Sequence, residues 1–119
     1  MSPAVKAALL AACALIAPLA ASAHTHLLRS TPAAGSVLAA SPPRLRLDFS
    51  EPAVLTALTL EKSGDPARRQ LAPRPGAPQA SFAVDLPPLA AGRYLVRWRA
   101  LSADNHVAFG SFGFTLRAN

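Results

Sequence analysis

The sequence predicts an all-β domain, either an antiparallel β-sandwich or a Greek-key barrel. Short apolar–polar alternations recur at near-regular spacing, and 12 prolines in 119 residues separate them. Alternation places apolar side chains on one face of a strand, whereas proline lacks the backbone N–H that a helix interior needs. No stretch of the chain after its apolar N-terminal segment shows a convincing helical period.

Five stretches carry the strand signal, and Leu27-Leu28 begins a further strand. The five are residues 44–49, 55–60, 81–86, 93–100 and 109–116. Their alternation predicts a core that includes Leu45, Leu47, Phe49, Tyr94, Val96, Trp98, Phe112, Phe114 and Leu116. The polar, proline-rich segment 66–79 is predicted to be a mobile loop.

Residues 1–23 are predicted to be a secretory signal peptide, and residues 24–119 the folded domain. Lys6 is followed by an almost wholly apolar run and by Ala21-Ser22-Ala23, a typical cleavage signal. Removing the first 23 of 119 residues leaves 96 and makes His24 the new N-terminus. The apolar run is too short and too rich in alanine to be a good membrane span, so no integral membrane segment is expected after cleavage.

Lipidation at Cys13 is the alternative, because Leu10-Ala11-Ala12-Cys13 resembles the lipobox of bacterial lipoproteins. The apolar run before Cys13 is short and continues to Ala21, which favours soluble export. Cys13 is the only cysteine. The domain that follows the signal therefore has neither a disulfide nor a thiolate ligand.

The chain is basic, with a formal net charge of +6 that falls to +5 when Lys6 leaves with the signal. Its arginines are scattered and not interleaved with aromatic residues, so nucleic acid is not an expected partner. Arg93, Arg97 and Arg99 share one face of one predicted strand. We interpret them as a solvated face, with attraction to anionic lipid or an acidic partner as the alternative.

Asp104 and His106 lie two residues apart between two predicted strands, so they can face one small target together. An N-terminal His24 would add two nitrogens, its amine and its imidazole, which close a chelate ring. Three nitrogens and one carboxylate oxygen suit tetragonal copper(II), whereas zinc prefers a tetrahedral set. The sequence therefore predicts a copper site built from both ends of the domain.

Four motifs resemble, in order, those of the bacterial periplasmic copper-resistance proteins of the CopC type. They are residues 24–35 (HTHLLRSTPAAG), 49–52 (FSEP), 89–98 (LAAGRYLVRW), and 102–106 (SADNH) together with 110–115 (GSFGFT). The resemblance implies a seven-stranded Greek-key β-sandwich or barrel with immunoglobulin-like, cupredoxin-like topology. It also implies a monomeric periplasmic protein that binds one copper(II) without catalysis, through His24, Asp104 and His106. An inner-membrane copper transporter of the CopD type is the partner it implies.

The chain departs from that family pattern in two respects. The usual Asp-Gly-His-Pro is Asp104-Asn105-His106-Val107 here; Asn tolerates the positive φ that Gly suggests, but the stiffening by Pro is lost. Met1 is the only methionine, so the methionine-rich copper(I) site of some family members is excluded.

Two residues keep alternative roles. His26 is either a residue of the second coordination shell or a direct ligand, through a square-planar chelate of the N-terminal amine, two deprotonated amides and its own imidazole. Glu51 is either a solvated acid or, as in some family members, a second-shell group near the metal. Two other functions also fit: a copper oxygenase that uses an N-terminal histidine brace on polysaccharide, and an immunoglobulin-like interaction module without metal.

Overall fold

The structure, a computed structural model, describes residues 25–71 and 76–118. Its regular elements are seven strands: β1 (Leu27–Thr31), β2 (Val37–Leu38), β3 (Arg44–Lys62), β4 (Arg68–Gln70), β5 (Gln79–Asp85), β6 (Gly92–Ser102) and β7 (Val107–Leu116). These residues include no helix of the length and apolarity needed to cross a membrane. The predicted class, an all-β domain of seven strands, is confirmed.

The long strand β3 takes part in both halves of the fold. Its N-terminal half pairs with β1 and β5, and its C-terminal half pairs with β6 and β4. Three exposed residues, Ser50, Glu51 and Pro52, separate two halves whose apolar residues are buried. Proline interrupts the ladder of hydrogen bonds, and the register of β3 with β5 shifts between Asp48 and Ala53, where the single sheet curls. The two separate strands predicted at 44–49 and 55–60 are therefore one bent strand.

The remaining strands extend the second half in the order β3–β6–β7–β2, and β2 runs parallel to the C-terminal end of β7. The inward faces of β3, β6 and β7 form one apolar core. Every residue that the alternation predicted for this core is buried: Leu45, Leu47, Phe49, Tyr94, Val96, Trp98, Phe112, Phe114 and Leu116.

The loop predicted at 66–79 contains a strand that the sequence did not indicate. Arg68–Gln70 forms β4 and pairs with Thr59–Glu61 on β3, where Arg68 lies 3.5 Å from the Glu61 carboxylate. All three β4 residues are exposed. They therefore show no burial pattern, and β4 exists because the long β3 offers it an edge. Residues 72–75 lie outside the described part.

A cluster around Asp48 ties β1, β3 and β5 together. The Asp48 carboxylate accepts hydrogen bonds from Ser81 Oγ at 2.7 Å, Arg29 Nε at 3.1 Å and Arg46 Nε at 3.2 Å. The bond from Ser81, helped by the two arginines, lowers the pKa of Asp48 to about 2, although partial burial opposes the shift. The carboxylate is therefore stable in its charged form inside this sheet.

We expect Asp48 to make the fold sensitive to acid. Its pKa is about 2 in the folded state and 3.8 without the cluster, so its contribution is complete above about pH 4 and is lost as the pH falls towards 2. Asp48→Asn should lower the melting temperature at pH 7 and flatten its dependence on pH between 2 and 4. Asp85→Asn is the control, because Asp85 pairs with Arg44 at the surface, where ion pairs contribute little. Equal pH profiles for wild type and Asp48→Asn would contradict the assignment.

Candidate metal site

The turn between β6 and β7 holds Asp104 and His106. Its backbone is closed by two hydrogen bonds, from Asn105 N–H to the Ser102 carbonyl and from Ser102 N–H to the His106 carbonyl, both 2.9 Å. Asn105 has a φ of 66°. The sequence-based expectation that Asn takes the left-handed conformation here is therefore confirmed, and the turn survives without glycine.

Asp104 and His106 face each other across the turn. The Asp104 Oδ2 atom lies 2.8 Å from His106 Nδ1, and the two side chains are 45% and 63% exposed. The carboxylate orients the imidazole through Nδ1, and one metal ion bound by both side chains would take the place of this contact. The pair thus offers an oxygen and a nitrogen donor at the surface.

Ser102 organises this pair, a role that the sequence analysis did not assign. It is only 7% exposed. Its hydroxyl donates to Asp104 Oδ1 and accepts a hydrogen bond from His106 N–H at 3.2 Å. The bond from Ser102, followed by that from His106, lowers the pKa of Asp104 to about 2. Asp104 is therefore a negatively charged carboxylate at neutral pH, the form that binds a cation. The sequence signal that could have indicated this role of Ser102 was a hydroxyl residue two positions before the Asp.

If the pair binds copper(II) as the sequence predicts, Ser102→Ala should weaken that binding by about 10-fold to 100-fold, the range typical of residues that orient metal ligands. Without the hydroxyl, Asp104 and the His106 amide lose their shared partner and the two donors lose their fixed orientation. Competition titration with a chelator measures the affinity. Ser111→Ala, an exposed serine on β7, is the matched control. Unchanged affinity in Ser102→Ala would show that the turn orients its donors without this hydroxyl.

The start of the described chain is anchored to the bend of β3. His26 N–H donates to Ser50 Oγ at 2.9 Å, and the His26 carbonyl accepts from Ser50 N–H at 2.8 Å. Thr25 is 5% exposed, and its Oγ1 finds no hydrogen-bond partner among the described residues. Because the His26 amide is hydrogen-bonded, a chelate that needs this amide deprotonated would have to break the contact.

Glu51 lies near the β6–β7 turn. Glu51, Pro52, Ser102, Ala103 and Asp104 line one cleft of about 270 Å³. The pairing of Ala53 with Ser102 holds the bend of β3 beside the turn. Glu51 and Asp104 are thus brought to the same cleft, and the contact of His26 with Ser50 places His26 at the neighbouring position of β3.

The described residues do not complete a metal site. Within 25–71 and 76–118, no three His, Cys, Asp or Glu side chains are grouped closely enough to hold a metal ion. The predicted ligand His24 lies outside the described residues. The set of His24, Asp104 and His106 therefore stays a prediction, of which the structure describes the Asp104–His106 half.

The family can now be stated from comparison with known proteins. The CopC domain matches residues 27–117, which include all seven strands and the β6–β7 turn. The chain belongs to the CopC family. Two curated relatives carry the name copper resistance protein C. The one from Pseudomonas syringae pv. tomato is 36% identical over 106 residues (82% of this chain and 83% of the relative), and the one from Escherichia coli is 35% identical over 107 residues (82% and 84%).

Solved structures of CopC-family proteins share the fold. CopC from Methylosinus trichosporium OB3b superposes with a TM-score of 0.65 at 28% identity, covering 79% of this chain and 94% of that protein. PcoC, a methionine-rich copper resistance protein from Escherichia coli, gives a TM-score of 0.58 at 36% identity, covering 80% of this chain and all of PcoC. This CopC-family chain therefore has the same β-sandwich or barrel architecture, although Met1 is its only methionine.

Proposed function

We propose that this protein binds copper(II) in the periplasm and stores, buffers or delivers the metal, one ion per chain. The ligands are the amine and imidazole of His24, the Asp104 carboxylate and the His106 imidazole. The single observation that carries the proposal is that the start of the domain and the β6–β7 turn lie at the same end of the fold, both beside the bend of β3.

Contacts with β3 link the start of the domain to the β6–β7 turn. His26 is hydrogen-bonded to Ser50, and Glu51 shares a cleft with Asp104. His24 is covalently two residues from His26, and consecutive Cα atoms are about 3.8 Å apart. Two further residues of extended chain reach about 7 Å beyond His26, which supports the proposal that a free N-terminal His24 meets a metal at the turn.

The donors suit copper(II) better than other metals. Nitrogen and carboxylate oxygen in a tetragonal set match divalent copper, which also heads the affinity order for such ligands. No thioether or thiolate remains after the signal, since Met1 and Cys13 lie within it. Affinity for copper(I) should therefore be low. In this proposal His26 and Glu51 lie in the second shell, His26 because its backbone is engaged by Ser50 and Glu51 because it shares the cleft.

Two observations favour a carrier over the alternatives. A polysaccharide oxygenase would need a broad aromatic surface for its substrate, but Phe109 alone of the seven aromatic residues is exposed. The turn holds a carboxylate and an imidazole side by side at the surface, as a metal site needs and as an interaction module without metal does not need. The names of both curated relatives also state a role in copper resistance.

Intact mass and EPR spectroscopy of the exported protein test the proposal together. The mass should correspond to a chain that begins at His24 and carries no lipid. One equivalent of copper(II) should give a tetragonal spectrum with couplings to nitrogen. A diacylated Cys13, a tetrahedral zinc preference in competition, or a stable copper(I) complex would each contradict it. Transfer to an inner-membrane transporter of the CopD type stays a prediction.

A further inference from the structure

Strand β7 has an open edge next to the β6–β7 turn. One side of β7 pairs with β6 along its whole length, but on the other side β2 pairs only with Thr115 and Leu116. Gly113 accepts from Gly35 N–H, and between Val107 and Phe112 no described residue pairs with this side. An unpaired edge of this kind is a template for another extended chain.

The direction of the backbone groups on this edge follows from their alternation. Gly113 C=O and Thr115 N–H both bond outward, to Gly35 and Ser36. The β6–β7 pairing has no register shift. With a period of two residues, the N–H and C=O groups of Val107, Phe109 and Ser111 therefore also point outward, where an added strand would meet them.

A basic groove lies on the outer face of the sheet beside this edge. It has a volume of about 620 Å³ and is lined by residues of β3, β4, β6 and β7, among them Arg68, Arg97, Trp98, Arg99 and Phe109. Phe109 is 76% exposed, the most exposed large apolar side chain of the described residues. A Cβ at Gly110 would come within 2.8 Å of the Trp98 ring, so the absence of a side chain there lets the buried indole pack over β7 beside this edge.

The groove has an excess of positive charge. Glu61 pairs with Arg97 at 2.6 Å and with Arg68 at 3.5 Å, whereas Arg99 forms no ion pair with any described residue. Three guanidinium groups thus face one carboxylate. Arg99 lies directly across from Phe109 in the β6–β7 register. A bound segment would therefore offer a carboxylate to Arg99 and, next to it, an apolar side chain to Phe109.

We propose that the open edge of β7 and this groove together dock an extended acidic segment of a partner protein. The segment would add a strand beside Val107–Ser111, with carboxylates towards Arg99 and Arg97 and an apolar side chain against Phe109. A second copy of this chain is a poor occupant, because its own edge brings the same arginines. A bilayer surface would leave the outward N–H and C=O groups of β7 without the backbone partners that an extended chain supplies. The proposal does not depend on copper; only a link between docking and copper transfer would rest on the function proposed above.

A capped decapeptide that presents Glu, Val and Glu at every second position, and so on one face, with threonine between them, tests the proposal on the metal-free protein. The same peptide with lysine in place of glutamate is the charge control. Binding is followed by the fluorescence of Trp98, the only tryptophan, and by hydrogen exchange. We expect saturable binding of the acidic peptide, weakened by salt, with slowed exchange of the amides of Val107, Phe109 and Ser111. Arg99→Glu and Phe109→Ser should each weaken it by about tenfold or more.

Arg93→Glu is the matched control, because Arg93 lies on the same strand and face but opposite Thr115, where β2 covers the edge. It should leave the affinity within about twofold of wild type, since a distant surface charge is largely screened. Equal losses in Arg93→Glu and Arg99→Glu, or unchanged amide exchange, would reduce the effect to general attraction by a basic protein and overturn the proposal. Binding to phosphatidylglycerol vesicles but not to the peptide would assign the face to a membrane, and dimers that Phe109→Ser dissociates would assign it to self-association.

Discussion

Copper(II) should raise the melting temperature of the protein that begins at His24, and His106→Ala should lose most of this shift. The proposed ligands come from opposite ends of the domain, so the site exists only when the N-terminus is docked beside the β6–β7 turn. Copper then binds the folded state far better than the unfolded chain. At about 100 times the dissociation constant this linkage contributes roughly 2.7 kcal/mol. In a domain of this length that is a shift on the order of ten degrees or more.

The structure explains why His106→Ala should remove the imidazole while leaving the fold intact. His106 is exposed in a turn, and the backbone bonds that close the turn use its carbonyl and amide, which alanine retains. The metal-free variant should therefore melt close to wild type, while its copper-induced shift falls. Differential scanning calorimetry with and without copper(II) measures both quantities.

His26→Ala is the matched comparison. Its backbone contacts with Ser50 would also be retained, so the variant should fold and keep its copper-induced shift. The amine–amide chelate through His26 predicts the reverse, because it would bind the unfolded N-terminus as well and would not need His106. If His26→Ala alone loses the shift, the assignment of Asp104 and His106 is wrong.

Local patterns predicted those parts of the fold that depend on which side a residue faces. Tyr94, Val96 and Trp98 alternate with arginines in the sequence, and in the structure they are buried while Arg97 and Arg99 are exposed. Asp104 and His106 do face each other as predicted, but a tight turn with a left-handed Asn105, and not extended backbone, brings them together. The positive φ of Asn105 followed from its position where the family has glycine.

Parts that depend on distant partners could not be predicted in this way. The sequence predicted two strands, at 44–49 and 55–60, and only their pairing with neighbouring strands shows that they are one strand, β3. Strand β4 has no buried residue and forms only against β3. Ser102 resembles any serine at a strand end until its hydroxyl is seen to be shared by Asp104 and His106. The role of His24 depends on cleavage and on its distance from the turn, neither of which a local pattern contains.

The second large effect should come from one residue added before His24. A protein that begins at Ala23 keeps the His24 imidazole, Asp104 and His106 but moves the amine away, so the chelate ring of amine and imidazole cannot form. Copper(II) affinity should fall by at least about 10-fold to 100-fold, since changes to residues that only orient ligands already cost that much. Chelator competition measures the affinity, and EPR should show one nitrogen coupling fewer.

The control for this extension is a protein that begins at His24 and carries one additional alanine after Asn119. Both extended proteins should melt like the His24 form without copper, because residue 23 lies outside the described fold, whose first residue is the buried Thr25. The difference should therefore appear only in metal binding. Equal affinity of the Ala23 and His24 forms would mean that the amine is not a ligand. The site would then reduce to side chains, with Asp104 and His106 as the pair that the structure already brings together.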